Sequence, residues 1–125
     1  MESISSTLKE ILIIEDNQSI ISLLSRFFDL KKIPHTEATN GQNGLNLIRQ
    51  KKFSVILLDI NMPEFTGYDV IDALEKEGKL KDENIFIFTA TSISESEESD
   101  LKKRGILGCI RKPIQINQLL TMIGA

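Results

Sequence analysis

A chain of 125 residues has room for one domain and can bury a core without the help of disulfides or metals. Its net charge of −3 argues against direct binding of nucleic acid, and its single cysteine, Cys109, excludes an intrachain disulfide. The sequence has no apolar segment long enough to span a bilayer and no secretion-signal pattern, so we expect a cytoplasmic protein without a membrane partner. Residues 1–7 are predicted to form a polar tail and residues 8–125 the domain.

The first half of the chain alternates apolar runs with helical patterns. Ile11–Ile14 is a continuous apolar run that predicts a buried strand, and two acids, Glu15 and Asp16, follow it. Apolar residues between 20 and 30 then recur at helical spacing, and the more polar stretch 35–39 predicts a strand near an edge. A second, short helix is predicted next, and the basic residues at its end favour a helix C-terminus.

The second half of the chain repeats this alternation three times. The central apolar run, 53–58, ends in the carboxylate of Asp59 and precedes a third predicted helix. Another apolar run ends at Thr89, and a polar helix follows whose acids precede its bases, as the helix dipole favours. A last strand, 106–110, is predicted shortly before Lys112, and an apolar helix follows it. Five alternations of strand and helix predict a doubly wound α/β fold, with a five-stranded parallel sheet and helices on both faces.

Polar side chains stand at four of the predicted strand ends, and the carboxyl ends of parallel strands share one edge of a sheet. These residues are Glu15 and Asp16, then Asp59, then Thr89, and finally Lys112. Three carboxylates at one edge repel each other unless a cation lies among them, and such an oxygen-rich set suits Mg²⁺. A lysine and a hydroxyl beside that ion suit a phosphoryl group, and a carboxylate can itself accept one as an aspartyl phosphate.

At this point the motifs resemble those of the receiver domain of two-component response regulators, of the single-domain chemotaxis-regulator type. The resemblance covers residues 8 to 123 and implies a flavodoxin-like sheet with the strand order 2-1-3-4-5. It is carried by the acidic pair after the first strand, by Asp59 with Asn61-Met62-Pro63 and Gly67, by Thr89-Ala90 and by Lys112-Pro113. Each motif alone is common, whereas all of them in this order are specific.

The resemblance implies the roles of the acidic residues. Asp59 would accept a phosphoryl group from a histidine kinase or a phosphotransfer protein. Asp16, Asp59 and the backbone carbonyl of Asn61 would bind Mg²⁺, and Glu15 would assist through water. The pair Glu15-Asp16 stands where two aspartates are more common, and this departure is expected to be tolerated.

The resemblance also implies how the switch would work. Lys112 would pair with Asp59 and then with the phosphoryl oxygens, and Thr89 would move to donate a hydrogen bond to the phosphoryl group. The Lys112–Pro113 peptide bond would be cis, as is usual in the family. Cys109 stands at the switch position where the family usually has Tyr or Phe, and a cysteine cannot fill the space of that ring. The structural reporting of phosphorylation is therefore expected to differ from the usual aromatic coupling.

The predicted function is that of a phospho-switch, a signalling module that assists its own phosphorylation and dephosphorylation but is not an enzyme with a separate substrate. Mg²⁺-dependent phosphoryl transfer to Asp59 would change the conformation and the binding of an unidentified downstream effector. The alternative is a receiver-like interaction scaffold that works without phosphorylation. A phosphatase of the aspartyl-phosphate type needs a second acid shortly after the nucleophile, and this sequence has Asn61 there instead. Nucleotide or flavin binding needs a glycine-rich phosphate loop, which the sequence lacks.

The apolar last helix has three open interpretations. It is either a core element only, the surface of a homodimer, or the place where an output domain is attached.

Overall fold

The structure, a computed structural model, describes residues 10–90 and 93–124, so the predicted polar tail, 1–7, lies outside the described residues. Within them five strands and five helices alternate. The strands are β1 (Ile11–Ile14), β2 (His35–Ala38), β3 (Val55–Asp59), β4 (Ile85–Thr89) and β5 (Gly108–Arg111). The helices are α1 (Gln18–Leu30), α2 (Gly41–Gln50), α3 (Gly67–Lys76), α4 (Glu95–Arg104) and α5 (Ile116–Ile123), with a short 3₁₀ turn at Leu80–Asp82.

All five strands pair in parallel in the order β2-β1-β3-β4-β5, which confirms the predicted doubly wound, flavodoxin-like fold. β3 lies at the centre, with β1 on one side and β4 on the other. The side chains of β1, β3 and β4 are buried along the whole length of each strand, as expected for strands that helices cover on both faces. β2, at one edge, is more polar and only partly buried.

Two apolar cores lie on opposite faces of the sheet because alternate side chains of each strand point to opposite sides. On one face Leu12 and Ile14 of β1 pack with the buried residues of α2, α3 and α4. On the other face Ile11 and Ile13 pack with those of α1 and α5, including Leu119. The last helix thus contributes to the second core.

The last strand begins two residues later than the predicted run of 106–110. Gly105, with φ of +128°, ends α4, and Ile106 is buried against the first core without joining the strand ladder. Pairing begins where Gly108 lies beside Phe86 of β4. An apolar run does not distinguish a buried loop residue from a buried strand residue, which explains the shift.

Side-chain caps determine where several helices begin. Asn17 accepts a hydrogen bond from the backbone of Ile20 and starts α1 directly after the acidic pair. Thr66 and Asp69 form a reciprocal capping box at the start of α3, and Ser94 caps α4. None of the helices in the described part of the chain combines the length and the apolar composition needed to cross a lipid bilayer.

Candidate functional site

The strand register brings the predicted site residues to one edge of the sheet. Ile14 of β1 lies beside Leu58 of β3, so the residues that follow each of them, Glu15 and Asp59, are neighbours. Asp59 pairs with Phe88, which directly precedes Thr89. Thr89 in turn pairs with Arg111, and Lys112 follows at the end of β5.

Three carboxylates meet at this edge. Glu15, Asp16 and Asp59 each offer an oxygen, and these three atoms lie within 4.8 Å of one another. Glu15 and Asp59 are buried, with 0% and 1% of their surface exposed, whereas Asp16 is exposed to solvent. The arrangement joins two buried carboxylates to one at the surface, so a hard cation arriving from solvent would meet oxygen donors on the protein side.

Lys112 places its ammonium group against both buried carboxylates. Its Nζ atom lies 2.9 Å from Oε1 of Glu15 and 3.4 Å from Oδ2 of Asp59. The lysine side chain is itself largely buried. Because a glutamate is one methylene longer than an aspartate, Glu15 reaches the lysine directly. Lys112 therefore has two partners, and the nearer of them is Glu15.

Backbone hydrogen bonds orient the carboxylates. The amide of Asn17 donates to Oε2 of Glu15 at 3.1 Å, and the amide of Asn61 donates to Oδ1 of Asp59 at 2.9 Å. The side-chain oxygen of Asn61 accepts a hydrogen bond from the backbone of Ala90 at 3.1 Å. The loop after β3 is thus hydrogen-bonded to the residue that follows Thr89.

The pKa of Glu15 is raised from its ordinary value of 4.5 to about 7, chiefly because the carboxyl group is buried. A hydrogen bond to Asp59 and the negative charge of that residue raise the pKa of Glu15 further, whereas the hydrogen bond to Lys112 lowers it. Near neutral pH both the protonated and the ionised form of the Glu15 carboxyl are therefore populated. A divalent cation at this edge would favour the ionised form.

Gly67 allows helix α3 to pack directly on the backbone at the end of β3. A Cβ atom at this position would lie 2.6 Å from Cα of Ile60 and 2.7 Å from the carbonyl oxygen of Asp59. Contacts this short leave room for glycine alone. The first turn of α3 is consequently held at a fixed position relative to Asp59.

Thr89 and Cys109 border a cavity of about 590 Å³ that lies between β5 and the first turns of α4 and α5. Thr89 is buried at the end of β4, and its carbonyl oxygen accepts a hydrogen bond from the Lys112 amide at 2.9 Å. The thiol of Cys109 is half-buried, and burial raises its pKa, so it is protonated at neutral pH. Next along the chain, the Lys112–Pro113 peptide bond is cis.

Sequence reasoning missed two features of this region. It did not foresee that Glu15 contacts Lys112 more closely than Asp59 does, because motif spacing carries no information on which side chain reaches farther. It also missed the hydrogen bond of 2.6 Å from the Tyr68 hydroxyl to Oε2 of Glu97, which joins α3 to α4. The position of Tyr68 directly after Gly67 is the one signal that could have drawn attention to it.

Comparison with known proteins agrees with this geometry. Residues 11–124 match the sequence model of the family described as the response regulator receiver domain. Polar-differentiation response regulator DivK of Brucella anthropi is 27% identical over 115 residues, which cover 92% of this chain and 93% of DivK. Response regulator SaeR of Staphylococcus aureus is 26% identical over 118 residues, and the match covers 89% of this chain but 50% of SaeR.

Among solved structures, chemotaxis protein CheY4 of Vibrio cholerae superposes with a TM-score of 0.80. It is 25% identical, and the match covers 93% of this chain and 96% of CheY4. The family model spans nearly the whole chain, and the sheet has the strand order that the resemblance implied. This chain therefore belongs to the family of response regulator receiver domains.

Proposed function

We propose that this receiver domain is a phospho-acceptor switch and that Asp59 is the residue that accepts the phosphoryl group. Receiver domains are signalling domains rather than enzymes of the usual kind, and they interact with histidine kinases or phosphotransfer proteins. One observation carries the proposal: the buried Asp59 carboxylate lies close to two further acids and to the ammonium group of Lys112. The switch resides in the unit formed by residues 8–125.

The acidic cluster suits Mg²⁺, the ion that receiver domains bind at such a cluster. The set of three carboxylates within 4.8 Å is a hard, oxygen-only donor set with one member open to solvent. Asp16 and Asp59 would hold the ion through their carboxylates and Asn61 through its backbone carbonyl, while Glu15 would act through water. When bound, the ion neutralises negative charge on the phosphoryl oxygens.

In the proposed transfer, a carboxylate oxygen of Asp59 attacks the phosphorus atom of a phosphohistidine. The new O–P bond forms as the P–N bond to the imidazole breaks, and the histidine leaves with the electron pair. Lys112 then pairs with the phosphoryl oxygens, and the Thr89 hydroxyl donates a hydrogen bond to them. The small side chain of the exposed Ala90 leaves the approach to Asp59 open.

The test is intact-mass analysis after incubation with acetyl phosphate, with and without Mg²⁺. We expect one added phosphate on the parent chain in the presence of Mg²⁺ and none on Asp59→Asn, which lacks the nucleophile. Asp29→Asn, which changes an exposed acid on α1, is the matched control and should be phosphorylated like the parent.

Two results would contradict the proposal. One is a phosphate that still appears on Asp59→Asn. The other is a parent chain that takes up no phosphate in Mg²⁺ from either acetyl phosphate or a phosphorylated histidine kinase. The second result would favour the alternative, a receiver-like scaffold that binds its partners without phosphorylation.

A further inference from the structure

Helix α4 is held to the rest of the domain by few apolar contacts. Leu101 is the one buried side chain among residues 95–104, all of which the structure describes. The other residues of the helix are charged or polar, with acids in the first turn and bases in the last. Because one buried leucine cannot fix the orientation of a ten-residue helix, its position depends on polar contacts with its neighbours.

Two polar contacts join α4 to α3, one at each end. At the C-terminal end, the guanidinium group of Arg104 lies 2.6 Å from Oδ1 of Asp72 and 2.8 Å from Oε1 of Glu75. At the N-terminal end, the Tyr68 hydroxyl donates to Oε2 of Glu97 at 2.6 Å. The Arg104 contact is the stronger anchor because it has two carboxylate partners, so α4 is free to pivot about it if the Tyr68 bond opens.

Both partners of the Tyr68–Glu97 bond are linked to the acceptor site. Tyr68 follows Gly67, which packs against the backbone of Asp59 and Ile60 and so fixes the first turn of α3. Glu97 lies eight positions after Thr89 in the sequence, in the first turn of α4, and its amide donates a hydrogen bond to the hydroxyl of Ser94. A movement of Thr89 thus has a short path along the chain to Glu97, whereas Gly67 holds Tyr68 against the end of β3.

The Tyr68–Glu97 bond lies between the edge of the first core and open space. The Tyr68 ring is partly buried against the first core, together with Ile93 and Cys109. Burial and the neighbouring Glu97 carboxylate raise the pKa of Tyr68 to about 12, so its hydroxyl keeps its proton and acts as a donor. The cavity of about 590 Å³ is bordered by Ile93, Glu98 and Cys109, so open space adjoins the first turn of α4.

We propose that the Tyr68–Glu97 hydrogen bond is a latch that holds α4 in its resting position and that phosphorylation of Asp59 opens it. The inference rests on the proposed function of Asp59. As Thr89 turns toward the phosphoryl group, Glu97 moves away from Tyr68. Tyr68 of α3 thus performs the coupling that is usual for an aromatic residue at the position on β5 where this chain has Cys109.

The effect of the latch can be measured through the binding of a ligand that selects the active state. A bond that exists in the resting state alone opposes the active state, so its removal must strengthen binding of any ligand that selects the active state. The beryllium fluoride anion, a stable mimic of the phosphoryl group, is such a ligand in the presence of Mg²⁺. We expect Tyr68→Phe, which keeps the ring but removes the hydroxyl, to bind it roughly two-fold to five-fold more tightly than the parent.

The test compares Tyr68→Phe, Glu97→Ala and the double variant in two measurements: titration with beryllium fluoride in Mg²⁺, and hydrogen exchange of the amides at 97–100 in the unphosphorylated protein. Each single variant should bind beryllium fluoride more tightly than the parent, and its amides should exchange faster. The double variant should show no larger effect than either single variant. Glu95→Ala is the matched control because it removes the same charge from the same helical turn, and it should behave like the parent.

The outcomes separate the latch from the proposed function. Parent-like affinity and exchange in Tyr68→Phe, or effects of the two single changes that add in the double variant, would overturn the latch while leaving Asp59 as the acceptor. A parent chain that binds no beryllium fluoride in Mg²⁺ would overturn both.

Discussion

The side chain of Glu15 dominates the electrostatics of the acidic edge at the scale of single residues. It is fully buried, lies 2.9 Å from the Lys112 ammonium and has the Asp59 carboxylate as a close neighbour. The lysine that the proposed mechanism needs for the phosphoryl oxygens is thus engaged by Glu15 before phosphorylation. Glu15 holds the Lys112 ammonium 3.4 Å from Asp59, so that the lysine contacts both carboxylates.

The raised pKa of Glu15 predicts how the stability of the domain depends on pH. In the folded state Glu15 keeps its proton up to about pH 7, whereas in the unfolded state it loses it near 4.5. Between these values the folded state binds more protons, so this group lowers the free energy of unfolding as the pH rises from 4.5 through 7. Glu15→Gln removes the titration. Without divalent cations, this variant should be more stable than the parent at pH 8, by roughly 1–3 kcal/mol, and close to it at pH 4.5.

Urea unfolding at several pH values measures this difference. Glu64→Gln, which changes an exposed acid in the loop before α3, is the control and should follow the parent at every pH. A stability difference between Glu15→Gln and the parent that is the same at pH 4.5 and pH 8 would show that Glu15 does not titrate in this range.

At the scale of elements, the close packing of α3 on β3 positions Asp59. Gly67→Ala introduces a Cβ atom 2.7 Å from the Asp59 carbonyl oxygen, so α3 or the backbone of Asp59 must shift. We expect a loss of roughly 1–3 kcal/mol in the free energy of unfolding and slower phosphate uptake from acetyl phosphate. Urea unfolding and intact mass against time measure the two effects.

Gly78→Ala is the control for this change. Gly78 has a φ of +72° and open space around it, so alanine there should cost about 1 kcal/mol in backbone strain and leave phosphate uptake unaltered. If Gly67→Ala equals the parent in uptake, the packing of α3 does not position Asp59.

Much of the sheet could be predicted because its strands are buried on both faces and therefore read as continuous apolar runs. β1 has the predicted bounds, and β3 and β4 lie within one or two residues of theirs. The edge of the sheet that carries the site was predictable for a related reason, since the carboxyl ends of parallel strands always meet. Glu15, Asp59, Thr89 and Lys112 do lie together there.

Contacts between side chains on different elements could not be predicted. Tyr68 and Glu97 are separated by 29 positions, and neither helical periodicity nor the motifs relate them. His35 is another example, because the polar stretch 35–39 predicted an edge strand without indicating which side chains the ring contacts. In the structure its ring packs beside Phe28, with 5.8 Å between ring centroids, and its Nδ1 atom lies 3.1 Å from the Ile33 carbonyl oxygen. Such contacts depend on helix orientation, which a single sequence does not encode locally.

At the scale of the whole molecule, cation binding and folding are linked. A ligand that binds the folded state alone stabilises it, so Mg²⁺ at the acidic edge should raise the melting temperature by several degrees when it is in large excess over its Kd. The rise should be larger at pH 8 than at pH 6, because protonated Glu15 reduces the negative charge of the site below pH 7.

Thermal unfolding with MgCl₂, against KCl at equal ionic strength, measures this effect. Asp16→Asn removes the exposed carboxylate of the cluster and should lose most of the Mg²⁺-dependent rise while keeping the fold. An equal rise in the parent and in Asp16→Asn would place the ion elsewhere.

The acidic edge is assembled from both ends of the sequence, since Glu15 follows the first strand and Lys112 the last. During synthesis on a ribosome, Asp59 leaves the exit tunnel long before Lys112 does. β4 and β5 must also be in place before Thr89 and Lys112 can face it. A nascent or truncated chain that ends before β5 therefore presents Asp59 without Lys112, and under the proposed function it would lack the lysine that pairs with the phosphoryl oxygens.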